Sequence, residues 1–356
     1  MSTLFAVITT IQPPTQAVHE LGRKLRGSSG VLVVAGDKKG PLDYPLASDE
    51  GAEVQFLSLQ KQMDSAFSLA SVLPTGHYCR KNIGYLHAIA QGAGCIYETD
   101  DDNAPLSSWE PRGEFVTGAV SISPDPDHHA DSSSWVNVYR YFSREHIWPR
   151  GLPLDAIRDD VPPLAGPEAG GTGAPQWSPV QQGLVNGSPD VDAVWRLTLD
   201  RPFEFDQSPS VFLPAGYWCP FNTQSTWWWP AAYPLLYVPS YCSFRMCDIW
   251  KSFVAQRCLW EIGAGVTFHA PEVIQDRNPH DLMRDFTDEL PGYQRNRELI
   301  AVLAGLPLAK GLDTVGSNLL ACYAALCQHG FFPEKELVLV EAWLADLKAI
   351  GSRTPA

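Results

Sequence analysis

The chain has 356 residues, and its 40 acidic side chains outnumber 26 Lys and Arg to give a formal net charge of -14. This length is enough to bury a large core, in one enlarged domain or in two. The acidic balance argues against a nucleic-acid backbone as the principal partner, so we expect no nucleic acid, and a phosphate-bearing small molecule would need local help to bind.

The eight cysteines show neither a CxxC pair nor regular Cys/His spacing. This argues against a zinc module or a disulfide-dense scaffold and favours reduced thiols in a cytoplasm. The N-terminal apolar run has no basic n-region, which is more typical of a core strand than of a signal peptide. Residues 207–244 carry no charge, but their prolines would break a spanning helix. We therefore expect a cytoplasmic protein without a transmembrane segment, which leaves room for peripheral association with the inner face of a membrane.

The first hundred residues alternate between strand and helix patterns. LFAVITTI (4–11) predicts a strand, TQAVHELGRKLR (15–26) a helix with Thr15 as its N-cap, and GVLVVAGD (30–37) a buried parallel strand. MDSAFSLASVL and RKNIGYLHAIAQG predict helices, and GCIYETD predicts another buried strand. This order predicts an α/β fold, in which ligands bind at the carboxyl ends of the strands.

The second half of the chain is less regular. Residues 161–189 are rich in proline and glycine, which predicts a flexible loop. SPDVDAVWR adds Asp190 and Asp192, individually unremarkable, before VWRLTL, which we interpret as a strand. CDIWKSFVAQRCLWEI predicts a helix, and the pattern stays helical from about residue 279. We therefore predict a catalytic α/β domain over 1–278 and an α-helical region over 279–356.

The predicted strand GCIYETD leads into three consecutive aspartates. Alternate side chains of a strand share a face, so Asp100 and Asp102 should point one way and Asp101 the other. Two such carboxylates suit Mg²⁺ or Mn²⁺, which keeps positions open for phosphate oxygens. The alternative is a solvated acidic turn with Asn103 as a helix cap. Three aspartates at the end of an apolar strand favour the metal.

Two further groups could contact an anionic ligand. YCRKNIGY places Arg80, Lys81 and Asn82 at a helix start, which can form an anion site or a solvated basic surface. Asp37 and Lys38 end the second predicted strand, where a nucleotide base or ribose would lie in a Rossmann-like fold. Turn chemistry explains the sequence GDKKGP equally well.

SFRMCDIWKSF places Arg245 and Asp248 just before a predicted helix. Asp248 is either a general base in a cleft or a helix N-cap. His280, in RNPHDL, either completes the metal shell or lies at a surface helix start.

FNTQSTWWWP joins Trp227, Trp228 and Trp229 to polar neighbours, among them Asn222. Core packing can take one or two of these rings. Three adjacent tryptophans between prolines should not all point inward, which predicts an aromatic surface that stacks on sugar rings.

Several motifs together resemble the STELLO-type family, which is regarded as a family of glycosyltransferases. They are YCRKNIGYLHAIAQGAGCIYETDDDN, VITTIQPPTQAV, VVAGDKKGP, DVDAVWRLT, PFNTQSTWWWP and RMCDIWKSFVAQRCLWEIGAGVTFHAP, and they cover most of the first 300 residues. The family resembles GT-A glycosyltransferases, in which an Asp-rich motif after a buried strand holds the metal on a nucleotide-diphosphate sugar. Plant members carry a membrane anchor and work in the Golgi, a location that we do not transfer to this chain.

This resemblance implies a GT-A-like α/β nucleotide-diphosphosugar transferase fold with an α-helical C-terminal extension. It implies Mn²⁺ or Mg²⁺, a UDP-sugar donor and a glycan, lipid-linked glycan or other hydroxyl acceptor, with Asp102 as the main metal ligand. We assign nucleotide contacts to Thr9, Asp37, Lys38, Arg80, Lys81, Asn82, Asp100 and Asp101, the metal to Asp100, Asp102 and His280, catalysis to Asp248 and Arg245, and the acceptor to Trp227, Trp228, Trp229 and Asn222.

A more distant resemblance is to the reversibly glycosylated polypeptides that act as UDP-arabinopyranose mutases, which also pair an Arg-containing helix with a following DDD. In that interpretation Arg80 lies near the sugar. The segments FNTQSTWWWP and CDIW suit an enzyme with a separate acceptor, so we rank transfer above the mutase reaction. A nucleotidyltransferase and a non-catalytic scaffold remain as alternatives.

Overall fold

The computed structural model describes residues 3–46, 52–123, 135–165, 175–276 and 281–352. Within these ranges the strands are β1 (Leu4–Thr10), β2 (Val31–Gly36), β3 (Glu53–Leu57), β4 (Cys95–Thr99), β5 (Asn103–Pro105), β6 (Phe115–Val116), β7 (Val120–Ser121), β8 (Gln176–Trp177), β9 (Val180–Gly187), β10 (Val211–Leu213), β11 (Ser225–Trp228) and β12 (Val266–Gln275). The α-helices are α1 (Gln16–Gly27), α2 (Leu59–Met63), α3 (Ser68–Val72), α4 (Lys81–Ala90), α5 (Ala193–Thr198), α6 (Cys247–Glu261), α7 (Leu282–Ala304), α8 (Val315–Gln328) and α9 (Lys335–Gly351).

A large, mostly parallel sheet forms the centre of the molecule. Its strand order is β3-β2-β1-β4-β11-β9-β12-β10-β7, and β5 pairs with β12. Strands β1 to β4 run parallel, β11 is antiparallel to both β4 and β9, and β12 is parallel to β9. The carboxyl ends of β1, β2, β4, β9 and β12 therefore meet at one edge of the sheet, together with the beginning of β11. This is the edge at which open α/β sheets bind ligands.

Side chains alternate between two buried clusters on the faces of the sheet. On β1, Phe5 and Val7 join the cluster that includes α4, whereas Ala6 and Ile8 join the cluster that includes α1. Gly84 lets α4 lie close to β1, because a Cβ at this position would come within 2.7 Å of a Val7 methyl group. Helices therefore cover both faces, as the βαβ pattern of the sequence predicts.

The C-terminal helices extend one of these two clusters. Trp343 on α9 and Tyr323 on α8 belong to the cluster that contains Val7. The carboxylate of Asp346 accepts hydrogen bonds from the backbone nitrogens of Ser68 (2.8 Å) and Leu69 (2.9 Å), which begin α3. These contacts join α9, the last helix that the structure describes, to the first third of the chain. Across the described residues, no helix combines the length and apolar character needed to cross a membrane.

The strongest local patterns are confirmed. The structure contains the predicted strands β1, β2 and β4 and the predicted helices α1, α4, α6 and α9. Thr15 is the N-cap of α1, since its hydroxyl accepts a hydrogen bond from the Val18 nitrogen at 3.2 Å. The predicted α/β class is confirmed at the level of a mixed sheet covered by helices.

Two predictions of local structure are wrong. The segment VWRLTL lies mostly in helix α5, because Asp192 caps the helix by accepting a hydrogen bond from the Trp195 nitrogen at 2.8 Å. Of the predicted loop 161–189, residues 166–174 lie outside the described residues, and its last part contains the buried strand β9. The strand was not predicted because Gln181 and Gln182 make its sequence polar. Both glutamines are nevertheless buried, and their side chains are hydrogen-bonded inside the protein.

The prediction of an exposed tryptophan surface is also wrong. Trp227, Trp228 and Trp229 are at most 3% exposed. They fit inside because both faces of the sheet are covered: Trp227 and Trp229 pack into the cluster that includes α1, and Trp228 packs into the cluster that includes α4. The indole nitrogens of Trp227 and Trp228 donate to Glu272 (2.6 Å) and Glu98 (2.8 Å), respectively. Asn222 is likewise buried and accepts hydrogen bonds from Gln182 and the Gln224 backbone.

Candidate active site

A cleft of about 540 Å³ opens at the carboxyl edge of the sheet. Its lining residues come from the ends of strands that are far apart in sequence. They include Thr9 and Thr10 from β1, Asp37 after β2, Asp100, Asp101 and Asp102 after β4, Asp190 after β9, Thr223 and Gln224 before β11, and Gln275 at the end of β12. The order and direction of the strands thus bring these residues together along one side of the cleft.

The three aspartates form a turn after β4, so the alternation expected for a strand does not hold. All three line the cleft. Asp101 is held from β1 and α1, because its carboxylate accepts a hydrogen bond from Thr10 and its carbonyl accepts one from Thr15. The Asp102 carboxylate accepts a hydrogen bond from the side-chain nitrogen of Gln275 at 2.9 Å. The turn therefore presents three positioned carboxylates to one space.

Burial and mutual repulsion disfavour the ionised form of the aspartates in this turn. Burial, followed by the charges of Asp100 and Asp101, raises the pKa of Asp102 to about 7. Burial also raises the pKa of Asp101 above its ordinary value, although the hydrogen bond from Thr10 acts in the opposite direction. A cation in the cleft would relieve this repulsion.

The carboxylate oxygens of the turn suit a hard divalent ion, provided that a bound substrate supplies further oxygen atoms. Among the residues that the structure describes, no three His, Cys, Asp or Glu side chains are arranged to hold a metal by themselves. Mg²⁺ is usually held by one or two carboxylates together with substrate phosphates and water, so two carboxylates of this turn would suffice. His280, the predicted ligand from the far side, lies outside the described residues.

Lys81 acts on the cleft through Asp100. Its buried ammonium group donates to an Asp100 carboxylate oxygen (2.9 Å), the Tyr78 hydroxyl (2.7 Å) and the Thr99 carbonyl (2.5 Å). The Tyr78 hydroxyl donates to the same Asp100 oxygen at 2.7 Å. Lys81 and Tyr78 therefore orient one aspartate of the turn, which is a positioning role.

The structure places Arg80 and Asn82 away from the cleft, which corrects their assignment to the nucleotide. The buried guanidinium group of Arg80 donates to the Gln62 side chain (2.8 Å) and the Ala70 carbonyl (2.9 Å). The Asn82 amide exchanges two 2.8 Å hydrogen bonds with the backbone of Val238. Both residues hold neighbouring segments in place. Of the three residues predicted at this helix start, only Lys81 contacts an acidic group of the site.

The turn after β2 is partly as predicted. Asp37 lines the cleft, and its carboxylate accepts hydrogen bonds from the backbone nitrogens of Lys38 (2.7 Å) and His77 (2.9 Å). The next lysine along, Lys39, lines the cleft where Lys38 was predicted. Asp37 therefore orders the turn, as one of the two interpretations predicts, and it also faces the cleft, where the nucleotide contact stays a prediction.

The opposite wall contains a carboxylate–guanidinium–carboxylate cluster. Arg150 donates to both carboxylate oxygens of Asp190 (2.7 and 2.9 Å) and to both of Asp248 (3.0 and 2.7 Å). Burial alone would raise the pKa of Asp190, but the adjacent Arg150 charge and its hydrogen bonds hold that pKa below its ordinary value. The cluster presents oriented, charged oxygens to the cleft.

Asp248 is not a helix cap. The N-cap of α6 is Met246, which makes no side-chain capping bond, and Asp248 lies in the first turn. Arg245 also lines the cleft, and its guanidinium group is held by Glu289 at 2.8 and 3.0 Å. The two predicted catalytic residues thus lie in one cleft with the acidic turn.

Sequence reasoning missed several lining residues. Arg150 had no signal, because a single arginine in WPRGLP indicates no chemistry. Asp190 was noted but left without a role, and the exposed ring of Phe244 was not singled out. A signal for Asp190 existed, since acidic residues just after a sheet strand face the ligand edge, but β9 had not been recognised as a strand.

Comparisons with known proteins agree with the sequence motifs. The family model of the STELLO glycosyltransferases matches residues 245–356. Over 98% of its length the chain is 30% identical to "Probable glycosyltransferase STELLO2" and 29% identical to "Probable glycosyltransferase STELLO1", both of Arabidopsis thaliana. Each alignment covers 45% of the relative, so the chain spans about half the length of these curated relatives. The resemblance that the motifs predicted is confirmed, and the chain is related to the STELLO glycosyltransferases over nearly its whole length.

Proposed function

We propose that this chain is a metal-dependent glycosyltransferase of GT-A-like architecture that uses a nucleoside-diphosphate sugar, with UDP as the nucleotide. The observation that carries the proposal is the acidic turn, in which Asp100, Asp101 and Asp102 line one 540 Å³ cleft at the ligand edge of the sheet. The kinship with STELLO glycosyltransferases supports the reaction class.

Asp100 and Asp102 would hold Mn²⁺ or Mg²⁺ together with diphosphate oxygens of the donor. When bound, such an ion supplies positive charge that stabilises the departing nucleoside diphosphate. Lys81 contributes by keeping Asp100 oriented, and Gln275 by holding Asp102 at 2.9 Å. The protein therefore offers positioned oxygen ligands whose repulsion a divalent ion removes.

The nucleoside is expected near the ends of β1 and β2. Thr9, Asp37 and Lys39 line the cleft there, next to the partly exposed side chain of Ile11. Asp37 can accept a hydrogen bond from a ribose hydroxyl or a base N–H, and Lys39 can approach a phosphate oxygen. This arrangement suits a nucleotide whose diphosphate extends toward the acidic turn.

The sugar and the acceptor hydroxyl would lie against Arg150, Asp190 and Asp248. Charged, buried oxygens in fixed orientation are suited to binding sugar hydroxyls, which both donate and accept hydrogen bonds. With the tryptophans buried, the predicted aromatic acceptor surface is not part of this proposal. Recognition of the acceptor falls to polar groups of the cleft and to the exposed ring of Phe244.

Asp248 is the candidate general base. Transfer needs the acceptor hydroxyl to lose its proton as its oxygen attacks the anomeric carbon, and an Asp248 carboxylate oxygen would take that proton. Both oxygens already accept hydrogen bonds from Arg150, so protonation would require one of these bonds to loosen. Attack assisted by a base opposite the leaving group inverts the anomeric centre.

The proposal is tested first by ligand binding. A panel of nucleotide sugars, each with and without Mn²⁺, should contain a member that raises the melting temperature only when the metal is present, because a ligand of the native state stabilises it. Asp102→Ala should lose this shift. If no nucleotide sugar raises the melting temperature in Mn²⁺, the proposal is wrong.

Product analysis then identifies the reaction. Transfer releases UDP and extends an added acceptor, whereas a mutase converts the sugar ring without an acceptor. A nucleotidyltransferase would release pyrophosphate when it is given a sugar phosphate and a nucleoside triphosphate. UDP release that depends on an acceptor supports transfer, and each of the other outcomes contradicts it.

A further inference from the structure

A second, smaller cleft of about 290 Å³ lies elsewhere on the sheet. Its wall includes His269 on β12, Gln181 on β9, Ser210 just before β10, and residues 115–117 around β6. It shares no lining residue with the first cleft. The polar lining also includes the Ser108 hydroxyl, the exposed carboxylate of Glu110 and the guanidinium group of Arg112.

A buried hydrogen-bond chain fixes what this wall offers to a ligand. The side-chain nitrogen of Gln181 donates to the carbonyls of Gly113 (2.9 Å) and Ser178 (3.1 Å), so its amide oxygen faces His269 at 3.0 Å. An amide oxygen only accepts, so His269 Nε2 carries the proton. His269 Nδ1 therefore accepts from the Ser210 hydroxyl, 2.6 Å away.

These hydrogen bonds leave the Ser210 hydroxyl oxygen as a fixed hydrogen-bond acceptor. Its proton is committed to His269, so its lone pairs are what can point into the cleft. Burial, followed by the charge of Arg112, keeps the pKa of His269 well below its ordinary value, so the imidazole stays neutral. The pattern of donors and acceptors is thus set by the fold.

The charge balance of the cleft favours an uncharged ligand. Arg112 is paired with Glu272, to which its Nε and Nη2 donate at 2.9 and 2.5 Å. The remaining exposed charge is that of Glu110, which disfavours an anion. A ligand that suits this wall carries hydroxyl groups rather than carboxylates or phosphates.

One aromatic ring stands at the same cleft. Phe115 is 59% exposed, in the short ribbon of β6 and β8 where it pairs with Trp177. An exposed ring next to oriented hydrogen-bonding groups is the combination with which proteins hold sugars, since the ring packs on the C–H face and the polar groups bind the hydroxyls.

We propose that this cleft is a second carbohydrate-binding site, which holds a neutral sugar unit of a glycan on Phe115, Ser210 and Glu110. The site lies outside the transfer cleft and does not require a nucleotide or a metal. A glycan bound here would be retained on the protein whether or not donor is present. This inference stands apart from the proposed transferase activity.

The test is binding of soluble oligosaccharides to the whole chain without metal or nucleotide, measured by calorimetry and ligand-observed NMR. The probes are neutral cello-, xylo- and manno-oligosaccharides, with an oligogalacturonate as the charged comparison. At least one neutral probe should bind, and Phe115→Ala should weaken its binding by about tenfold, which is about 1.4 kcal/mol, because the variant loses the ring on which the sugar packs. Ser210→Ala should also weaken it.

The matched control is Leu312→Ala, which removes a similarly exposed apolar side chain (60%) far along the chain in a turn before α8. It should leave binding unchanged. The melting temperature of each variant, and its shift with nucleotide sugar and Mn²⁺, reports folding and the first cleft separately. The proposal is overturned if no neutral probe binds, if only the charged probe binds, or if Phe115→Ala and Ser210→Ala bind as the wild type does.

Discussion

Strand β4 carries carboxylates in two very different situations. Glu98, inside the strand, is fully buried and accepts hydrogen bonds from Lys251 (2.7 Å), Trp228 (2.8 Å) and Tyr85. Asp102, three residues past the strand's end at Thr99, faces a cleft beside two further aspartates. A carboxylate whose partners satisfy its charge stabilises the fold, whereas one left beside like charges is available to a ligand.

The largest effect should come from removing the buried carboxylate. Glu98→Ala leaves the ammonium group of Lys251 buried without its partner, so we expect a loss of about 3–5 kcal/mol in the free energy of unfolding. Urea unfolding measures it. Adding Lys251→Met in the same chain should recover part of the loss, because the uncompensated charge is then gone. A loss below about 1 kcal/mol in the single variant would contradict the structural role of Glu98.

Asp102→Ala should show the opposite pattern. Stability should be unchanged or higher, since one of three mutually repelling carboxylates is removed. Affinity for UDP in Mn²⁺ should fall by at least about a hundredfold, because loss of even an outer partner of a metal ligand costs ten- to a hundredfold. Calorimetry measures the affinity, and Asp43→Ala, at an exposed aspartate, is the control. Unchanged UDP affinity would show that Asp102 holds no metal.

Asp248→Asn tests the other wall of the cleft. As a general base, Asp248 should contribute about a hundredfold or more to turnover, so the variant should bind donor normally and turn over slowly. Asp190→Asn is the comparison variant, since it weakens the same Arg150 cluster and a proposed sugar contact but keeps the proposed base, so it should bind substrate less tightly yet turn over faster than Asp248→Asn. Equal losses in the two variants, or nearly full activity of Asp248→Asn, would remove the catalytic role. Melting temperatures separate these outcomes from damage to the fold.

The smallest effect, taken per pH unit, is a dependence of the stability of the metal-free chain on pH. The pKa of Asp102 is raised to about 7 by burial and by Asp100 and Asp101, whereas an unfolded aspartate titrates near about 4. Between these values the folded state keeps a proton that the unfolded state has lost. Stability should therefore fall as pH rises through this window, by less than about 1.4 kcal/mol per pH unit.

Urea unfolding across this window measures the slope. In Asp102→Asn the slope should be smaller, and equal slopes in the two proteins would contradict the assignment. Saturating Mn²⁺ with nucleotide should also flatten it, since binding favours the ionised carboxylate.

The sequence was sufficient where the signal is local. Periodicity and capping identified β1, α1, β2 and β4, and the run of aspartates identified the acidic turn. These predictions depend on neighbours within a few residues. Asp37 and Asp248 also line the cleft, because residues just after a strand or at a helix start tend to face a ligand site, whereas their roles there stay predictions.

The site contacts and the burial that the sequence did not predict depend on contacts between distant segments. Arg150 meets Asp248 across 98 positions, and Gln275 meets Asp102 across 173. Arg80 and Lys81 are adjacent and chemically similar, yet successive helical side chains point about 100° apart, so only packing decides which one reaches the acidic turn. The tryptophans were misjudged for the same reason, since their burial follows from the distant segments that pack on both faces of the sheet.

The hydrogen bond between Gln275 and Asp102 has a consequence for how the molecule matures. A chain that emerges from the ribosome presents β4 and its acidic turn long before β12 exists, so the cleft has one wall and no partner for much of synthesis. Such late, long-range closure is a slow step of folding. A ligand that contacts both walls of the cleft can therefore bind only after β12 has been made, and its binding would stabilise the finished fold rather than nucleate folding.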